Sequence, residues 1–177
     1  MSIYASHDVT ALLESVANHS ERGLFACMVP HRGSAYDSGQ FLVVGRATNG
    51  WGARHTQFTL AALRDPVERA RLAEASAQYH HPLDWVNEYS RWSAFWRVAR
   101  GVAAGVGATE GAGSAWPERL AWSNIYKIAP ANRGNPSDAL ADAQLAPGAA
   151  LLGHEIATLS PRWVLFLVGC GAQDDWF

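Results

Sequence analysis

Three short apolar runs stand out along this chain, and each ends in a glycine or in polar residues. They comprise residues 41–44, 120–128 and 163–169. Short runs of this kind, rich in Val, Leu and Ile, are typical of strands that are buried on both faces of a sheet. We therefore predict three inner strands, the first of which opens into a polar loop that starts at Gly45.

Helical periodicity and helix-start residues occupy the stretches around these runs. They predict five helices, over residues 9–17, 66–79, 84–104, 137–144 and 149–159. The last helix is followed by a short turn, an apolar strand and a glycine, which is the order of a βα repeat. The strands should therefore be parallel and flanked by helices, and we predict an α/β fold: a three-layer α/β/α sandwich with a small parallel sheet.

The composition is that of one globular domain. The chain has 177 residues, of which 49% are hydrophobic and 17% are charged, and this is enough for a sizeable core. Neither a linker nor an internal repeat interrupts it, so we predict a single domain over residues 1–177. Eight tryptophans are many for this length, and most of them should lie in the core.

The sequence lacks the patterns of secreted and membrane proteins. Its N-terminus has no basic region followed by an apolar one, and no apolar run is long enough to span a bilayer. We therefore expect a cytoplasmic protein without a membrane partner.

The net charge and the absence of certain motifs make several classes of function less favoured. A net charge of -2 gives no global basic pattern for nucleic acid, although a local groove of Arg and Lys can exist on a neutral protein. The seven histidines are not spaced as metal ligands, and the nucleophile-elbow and P-loop motifs do not occur. We expect neither a metal nor a cofactor.

The loop after the first strand carries the most informative polar residues. Gly45 lets the backbone turn and approach a ligand closely. Arg46, Thr48 and Asn49 supply hydrogen-bond donors and acceptors, and Trp51 supplies a flat apolar face. This composition predicts a pocket for a small, planar molecule with polar edges.

Polar residues also end the second run, where Asn124 and Lys127 lie. Because the carboxyl ends of parallel strands lie at one edge of a sheet, we expect these residues to converge with the loop that follows the first strand. Structural interpretations stay open beside this one. Asn49 and the glycine after it form a common tight-turn dipeptide, Trp51 can be a core residue, and Asn124 can bond to a neighbouring loop backbone.

The order of elements over residues 41–169 resembles that of the uracil-DNA glycosylase superfamily. The resemblance is carried by three segments: Gly45-Arg46-Ala47-Thr48-Asn49-Gly50, Trp122-Ser123-Asn124, and the helix, Leu-Ser-Pro-Arg turn, strand and glycine of residues 152–169. It implies a protein that recognises a nucleobase and hydrolyses an N-glycosidic bond, with DNA, a nucleobase or a nucleotide as its partner.

The resemblance also implies roles for individual residues. Asn49, with Thr48 beside it, would orient the attacking water, and Asn124 would read the edge of the base through paired hydrogen bonds. Trp51 would stack on the base, and Arg46 or Lys127 would balance phosphate or leaving-group charge. The implied base-binding set is Gly45, Arg46, Ala47, Trp51, Asn124 and Lys127.

The sequence departs from the family pattern at two points. Ala47 stands where the family often has an acidic or amide residue. The chain reaches Phe177 soon after its third strand, so we expect it to lack the family's last motif, a histidine-bearing loop. An alternative function follows from these departures, namely a non-catalytic binding or interaction module of the same fold.

Overall fold

The computed structural model describes residues 6–47, 56–78, 83, 85–132 and 134–169. Within them the strands are β1 (Phe25–Cys27), β2 (His31–Arg32), β3 (Phe41–Gly45), β4 (Gln57–Phe58), β5 (Leu120–Asn124), β6 (Ile128–Pro130) and β7 (Trp163–Leu167). The α-helices are α1 (Ser6–Val16), α2 (Tyr36–Gly39), α3 (Pro66–Gln78), α4 (Trp85–Ser90), α5 (Ala94–Gly105) and α6 (Asp138–Leu159), and 3₁₀ helices span Leu60–Arg64 and Gly113–Arg119.

A four-stranded sheet with the order β2-β5-β3-β7 contains all three predicted strands. β3 pairs in parallel with both β5 and β7, so the prediction of parallel pairing among them is confirmed. The register places Gly45 opposite Asn124 on one side and Leu167 on the other. The sheet is not purely parallel, however, because β2 pairs with β5 in the antiparallel direction.

Alternate residues of β3 and β5 face two different helical layers. Phe41, Val43, Leu120 and Trp122 pack in one core cluster with Trp96, Ala99 and Ala103 of α5. Leu42, Val44 and Ala121 pack in another with Leu152 and Leu159 of α6. Helices therefore cover both faces of the central strands, and the α/β fold is confirmed.

The second predicted strand is two strands in two sheets. β5 ends at Asn124, and the chain then crosses the end of β3, where the N–H of Ile125 donates to the Gly45 carbonyl at 2.9 Å. It continues as β6, which pairs with β1 in an antiparallel three-stranded sheet of order β4-β1-β6. No glycine or proline within residues 120–128 marks this change of partner, so the prediction of a single strand over 120–128 was wrong.

Two helix predictions also need correction. The predicted helix over 84–104 is divided into α4 and α5, because the side chain of Ser93 accepts a hydrogen bond from the Trp96 N–H and starts a new helix there. The helices over 137–144 and 149–159 are one helix, α6, with Pro147 inside it. Buried residues recur every three to four positions from Leu140 to Leu159, and this continuous buried face offsets the cost of the proline, about 3 kcal/mol.

β7 differs from the prediction of a strand buried on both faces. It lies at the edge of its sheet, with Trp163 40% and Val164 37% exposed and residues 165–167 half-buried. An edge strand has a neighbour on one side only, and its apolar sequence does not report that position. In the described part of the chain, no helix has the length and apolar character needed to cross a membrane.

Candidate functional site

Asn124 and Gly45 meet at the carboxyl ends of the parallel strands. Each is the last residue of its strand, and they lie opposite each other in the register. A Cβ atom on residue 45 would lie only 2.4 Å from Asn124 Oδ1. Glycine at this position therefore leaves the space that the Asn124 side chain occupies.

The carboxamide of Asn124 is buried, with 1% of the residue exposed, and is poorly satisfied. Its Nδ2 donates to Met28 Sδ, and a thioether sulfur is a weak acceptor. Its Oδ1 has no hydrogen-bond partner in the part of the chain that the structure describes. An unsatisfied buried acceptor costs about 1–3 kcal/mol, so this amide favours a ligand that can donate to it.

Aromatic side chains border this amide. Phe95, from the first turn of α5, has ring atoms 3.2 and 3.4 Å from the same Cβ position on residue 45. The Phe95 ring contacts Trp96 edge to face at 4.8 Å, and Trp96 lies 5.4 Å from Trp122 on the same face of the sheet. Sequence analysis missed Phe95, because its helical spacing indicated only burial.

Arg46 and Ala47 continue from Gly45 at the same sheet edge. The carbonyl of Arg46 accepts from the Tyr126 N–H at 2.9 Å, which ties the segment after β5 to the end of β3. Arg46 is half-buried, and its Nε has no hydrogen-bond partner among the residues described. Ala47 packs against the core cluster below α6.

The remaining residues of the predicted loop lie outside the described residues. They are Thr48, Asn49 and Trp51. Their roles in orienting water and stacking on a base stay predictions.

Lys127 occupies a different place from the one predicted. It is fully buried, and its Nζ donates to Ser123 Oγ at 2.7 Å and to Glu155 Oε1 at 2.5 Å. Ser123 Oγ in turn donates to Glu155 Oε2 at 2.5 Å. Lys127 therefore lies under α6 in a closed triangle of hydrogen bonds, and not at the sheet edge beside Asn124.

Burial moves both charged members of this triangle towards their neutral forms. It lowers the pKa of Lys127 to about 7 and raises the pKa of Glu155 well above its ordinary value. In either protonation arrangement the pair carries one proton and no net charge at neutral pH. We infer that the triangle holds the structure together, because its three side chains satisfy one another's hydrogen bonds within the core.

The sequence itself contains a signal for this triangle. Ser123 and Lys127 are four residues apart around the end of β5. Glu155 follows Leu151 by four residues and so falls on the apolar face of α6. A carboxylate on an apolar helix face needs a buried partner.

The site at the end of β3 and β5 can therefore offer a paired donor and acceptor and an aromatic border, and Arg46 follows Gly45 in the chain. Over the described residues, no group of three or more His, Cys, Asp and Glu side chains is arranged to hold a metal ion. No protein-family model, no curated protein and no solved structure matches this chain.

Proposed function

We propose that the protein recognises a nucleobase at the carboxyl ends of β3 and β5 and hydrolyses its N-glycosidic bond. The observation that carries this proposal is the buried Asn124 amide, whose Oδ1 lacks a partner within the described residues. An amide presents one acceptor and two donors. It therefore matches the edge of uracil, where an N–H lies beside a carbonyl.

Binding of such an edge would satisfy both ends of the amide. Oδ1 would accept from the ring N–H, and Nδ2 would exchange the weak Met28 Sδ acceptor for a carbonyl oxygen. Sites built on buried hydrogen-bonding groups reject analogues that lack the matching group, because the protein group is then left unpaired. The Phe95 ring beside Gly45 offers a face or edge for the planar base.

The arrangement of helices around the central strands also supports a ligand site at this place. With α5 on one face of the central strands and α6 on the other, we propose a three-layer α/β/α arrangement. In open α/β sheets, ligands bind outside the carboxyl ends of the strands, which is where Gly45 and Asn124 lie.

The hydrolytic roles rest on the sequence resemblance. Asn49, with Thr48, would orient the water that attacks the sugar carbon, and Trp51 would stack on the base. Arg46 is the cation that follows Gly45 at this edge, and it would stabilise the negative charge that develops on the departing base. Lys127 has no part in this step, because its ammonium is bound to Glu155 in the core.

A gel assay for base release tests this proposal. The substrate is a labelled single-stranded oligonucleotide with one deoxyuridine, and alkali then cleaves the strand wherever the base has been released. We expect release by the wild-type protein and a rate about 5- to 150-fold lower for Asn124→Ala, equivalent to about 1–3 kcal/mol for a bidentate base contact. Asn135→Ala, which removes an exposed amide, is the matched control. Equal rates for wild type and Asn124→Ala would contradict the recognition role.

A second candidate function is base binding without hydrolysis. The observation that favours it is the burial of Lys127, which removes one of the two cations predicted to balance leaving-group charge. Calorimetric titration with uracil distinguishes the two: binding that Asn124→Ala abolishes, without base release, supports the module. The absence of both binding and release would refute both functions.

A further inference from the structure

An exposed tryptophan and three arginines surround the turn between α4 and α5. Trp92 is 75% exposed, and the Arg91 guanidinium lies 5.0 Å from the centroid of its ring. Arg97 Nη1 donates to the Arg91 carbonyl at 3.1 Å, which holds Arg97 against the same turn. Arg100 lies three residues further along α5, and we refer to Arg91, Trp92, Arg97 and Arg100 as the arginine–tryptophan surface.

The arginines of this surface form no ion pair within the described ranges. All three are exposed, and the Arg100 guanidinium also lies 5.7 Å from the centroid of the buried Trp116 ring. The segment between Glu88 and Glu110 contains these three arginines and no Asp or Glu, although the whole chain has a net charge of -2. Positive charge is therefore concentrated at one place on a slightly acidic protein.

The surface lies beside the proposed base site. Trp92 precedes Phe95 by three residues, a reach of about 10 Å at most, and Phe95 contacts the place where Gly45 and Asn124 meet. A chain molecule whose base occupied that place would have its neighbouring nucleotides within reach of the turn.

We infer that the arginine–tryptophan surface binds the single-stranded polynucleotide that flanks the recognised base. Trp92 stacks on a neighbouring base, and the arginines contact phosphates. Aromatic faces interleaved with cations are the usual means of binding single strands without sequence preference. The inference rests on the proposed function, and it extends the substrate from a base to a nucleic acid strand.

A membrane surface fits these observations less well. α5 directs Trp96, Ala99 and Ala103 into the core, so its strongly apolar face is already used. The outward side carries mostly Ala, Gly and Arg, with Val98 and Val102 as its exposed apolar side chains. Interfacial helices need a large free apolar face.

Fluorescence anisotropy with a labelled oligothymidine of about 15 nucleotides, the upper range of such sites, tests the inference. Thymine presents the same N–H and carbonyl edge as uracil, so the measurement is repeated with Asn124→Ala, which separates strand binding from base recognition. We expect Trp92→Ala to weaken binding about 5- to 150-fold, the effect of losing one base stack. The chain offers a matched control, Trp163→Ala, because Trp163 is 40% exposed beside Arg162 but begins β7, at the end of the parallel strands away from Gly45 and Asn124.

A second variant tests the phosphate contacts. Arg91→Gln combined with Arg97→Gln and Arg100→Gln should reduce the slope of log affinity against log salt by about 2, since each single-strand phosphate contact contributes about 0.7. Absence of oligothymidine binding by the wild type, or unchanged binding by both variants, would overturn the inference. The inference would also be overturned if the variants lost binding to anionic phospholipid vesicles while their binding to oligothymidine was unaffected. If the variants behave as expected while Asn124→Ala leaves uracil release unchanged, the surface stands and the proposed base recognition fails.

Discussion

Replacing Glu155 by Gln should strongly destabilise the fold. The side chain is fully buried, and its two oxygens accept from Lys127 Nζ and from Ser123 Oγ, each at 2.5 Å. The substitution keeps the size and one acceptor but removes the carboxylate that is bonded to Lys127. A buried lysine would then remain without a partner that can neutralise it.

The magnitude follows from the burial of Lys127. Burial lowers its pKa from 10.5 to about 7, because the ammonium is disfavoured in the core unless a carboxylate neutralises it. Removal of one partner from a buried pair usually costs about 3–5 kcal/mol, so we expect a loss of this size in the free energy of unfolding at pH 7.

The pH dependence gives a sharper test. In the wild type the pair binds one proton both folded and unfolded near neutrality, so it adds little slope there. In Glu155→Gln, burial lowers the pKa of Lys127 with no carboxylate to oppose it, so the unfolded chain binds more protons between that lowered pKa and the unfolded value of 10.5. Stability of this variant should therefore rise with pH across that window.

Urea denaturation from pH 6 to pH 10 measures both effects. Glu110→Gln, at an exposed position, is the control and should change stability by less than about 0.5 kcal/mol. Combining Ser123→Ala, Lys127→Met and Glu155→Met replaces the triangle by apolar groups and should restore most of the stability. A loss below about 1 kcal/mol for Glu155→Gln, with no slope, would refute the buried triangle.

Three further predictions concern neighbouring positions. Gly45→Ala places a Cβ 2.4 Å from Asn124 Oδ1 and should cost about 1–3 kcal/mol in thermal unfolding, whereas Gly153→Ala, where nothing lies within 4 Å, should stabilise α6 by about 0.5–1 kcal/mol. Gln144→Leu removes two 2.8 Å hydrogen bonds to the backbone of β6 and should cost about 1–3 kcal/mol for each unpaired group; an unchanged urea midpoint would contradict this. Ser123→Ala should lower the free energy of unfolding and leave the rate of base release unchanged. Asn124→Ala should raise the free energy of unfolding and lower the rate of base release.

The sequence predicts those parts of the fold that depend on local pattern. The apolar runs at β3, β5 and β7 and the periodicity of α1 and α3 are local, and the strands and helices lie where expected. The change of sheet after Asn124 depends on β1, nearly one hundred residues earlier in the chain, so the run itself does not contain it. The same holds for Glu155, whose partners lie on β5 and just after it.

Within the candidate site, sequence reasoning identified polar residues but not their partners. Gly45 and Asn124 could be grouped because parallel strands share an edge. Lys127 was grouped with them because it follows Asn124 by three residues. Its true direction depends on where the chain turns after β5, and the turn takes Lys127 under α6.

Ser123 and Asn124 are adjacent on β5, but they differ in whether their polar side-chain atoms have hydrogen-bond partners. Because side chains alternate along a strand, Ser123 faces α6 and the charged pair, whereas Asn124 faces Gly45 and Phe95. On the first face every polar atom of the triangle has a partner. On the second, a carbonyl oxygen of equal burial has none among the described residues. A buried cluster that is fully bonded stabilises the strand end, while an unbonded group at the same depth lowers stability. The well-anchored serine thus holds in place a neighbour that the fold alone does not satisfy, and this contrast is the reason for assigning recognition to Asn124.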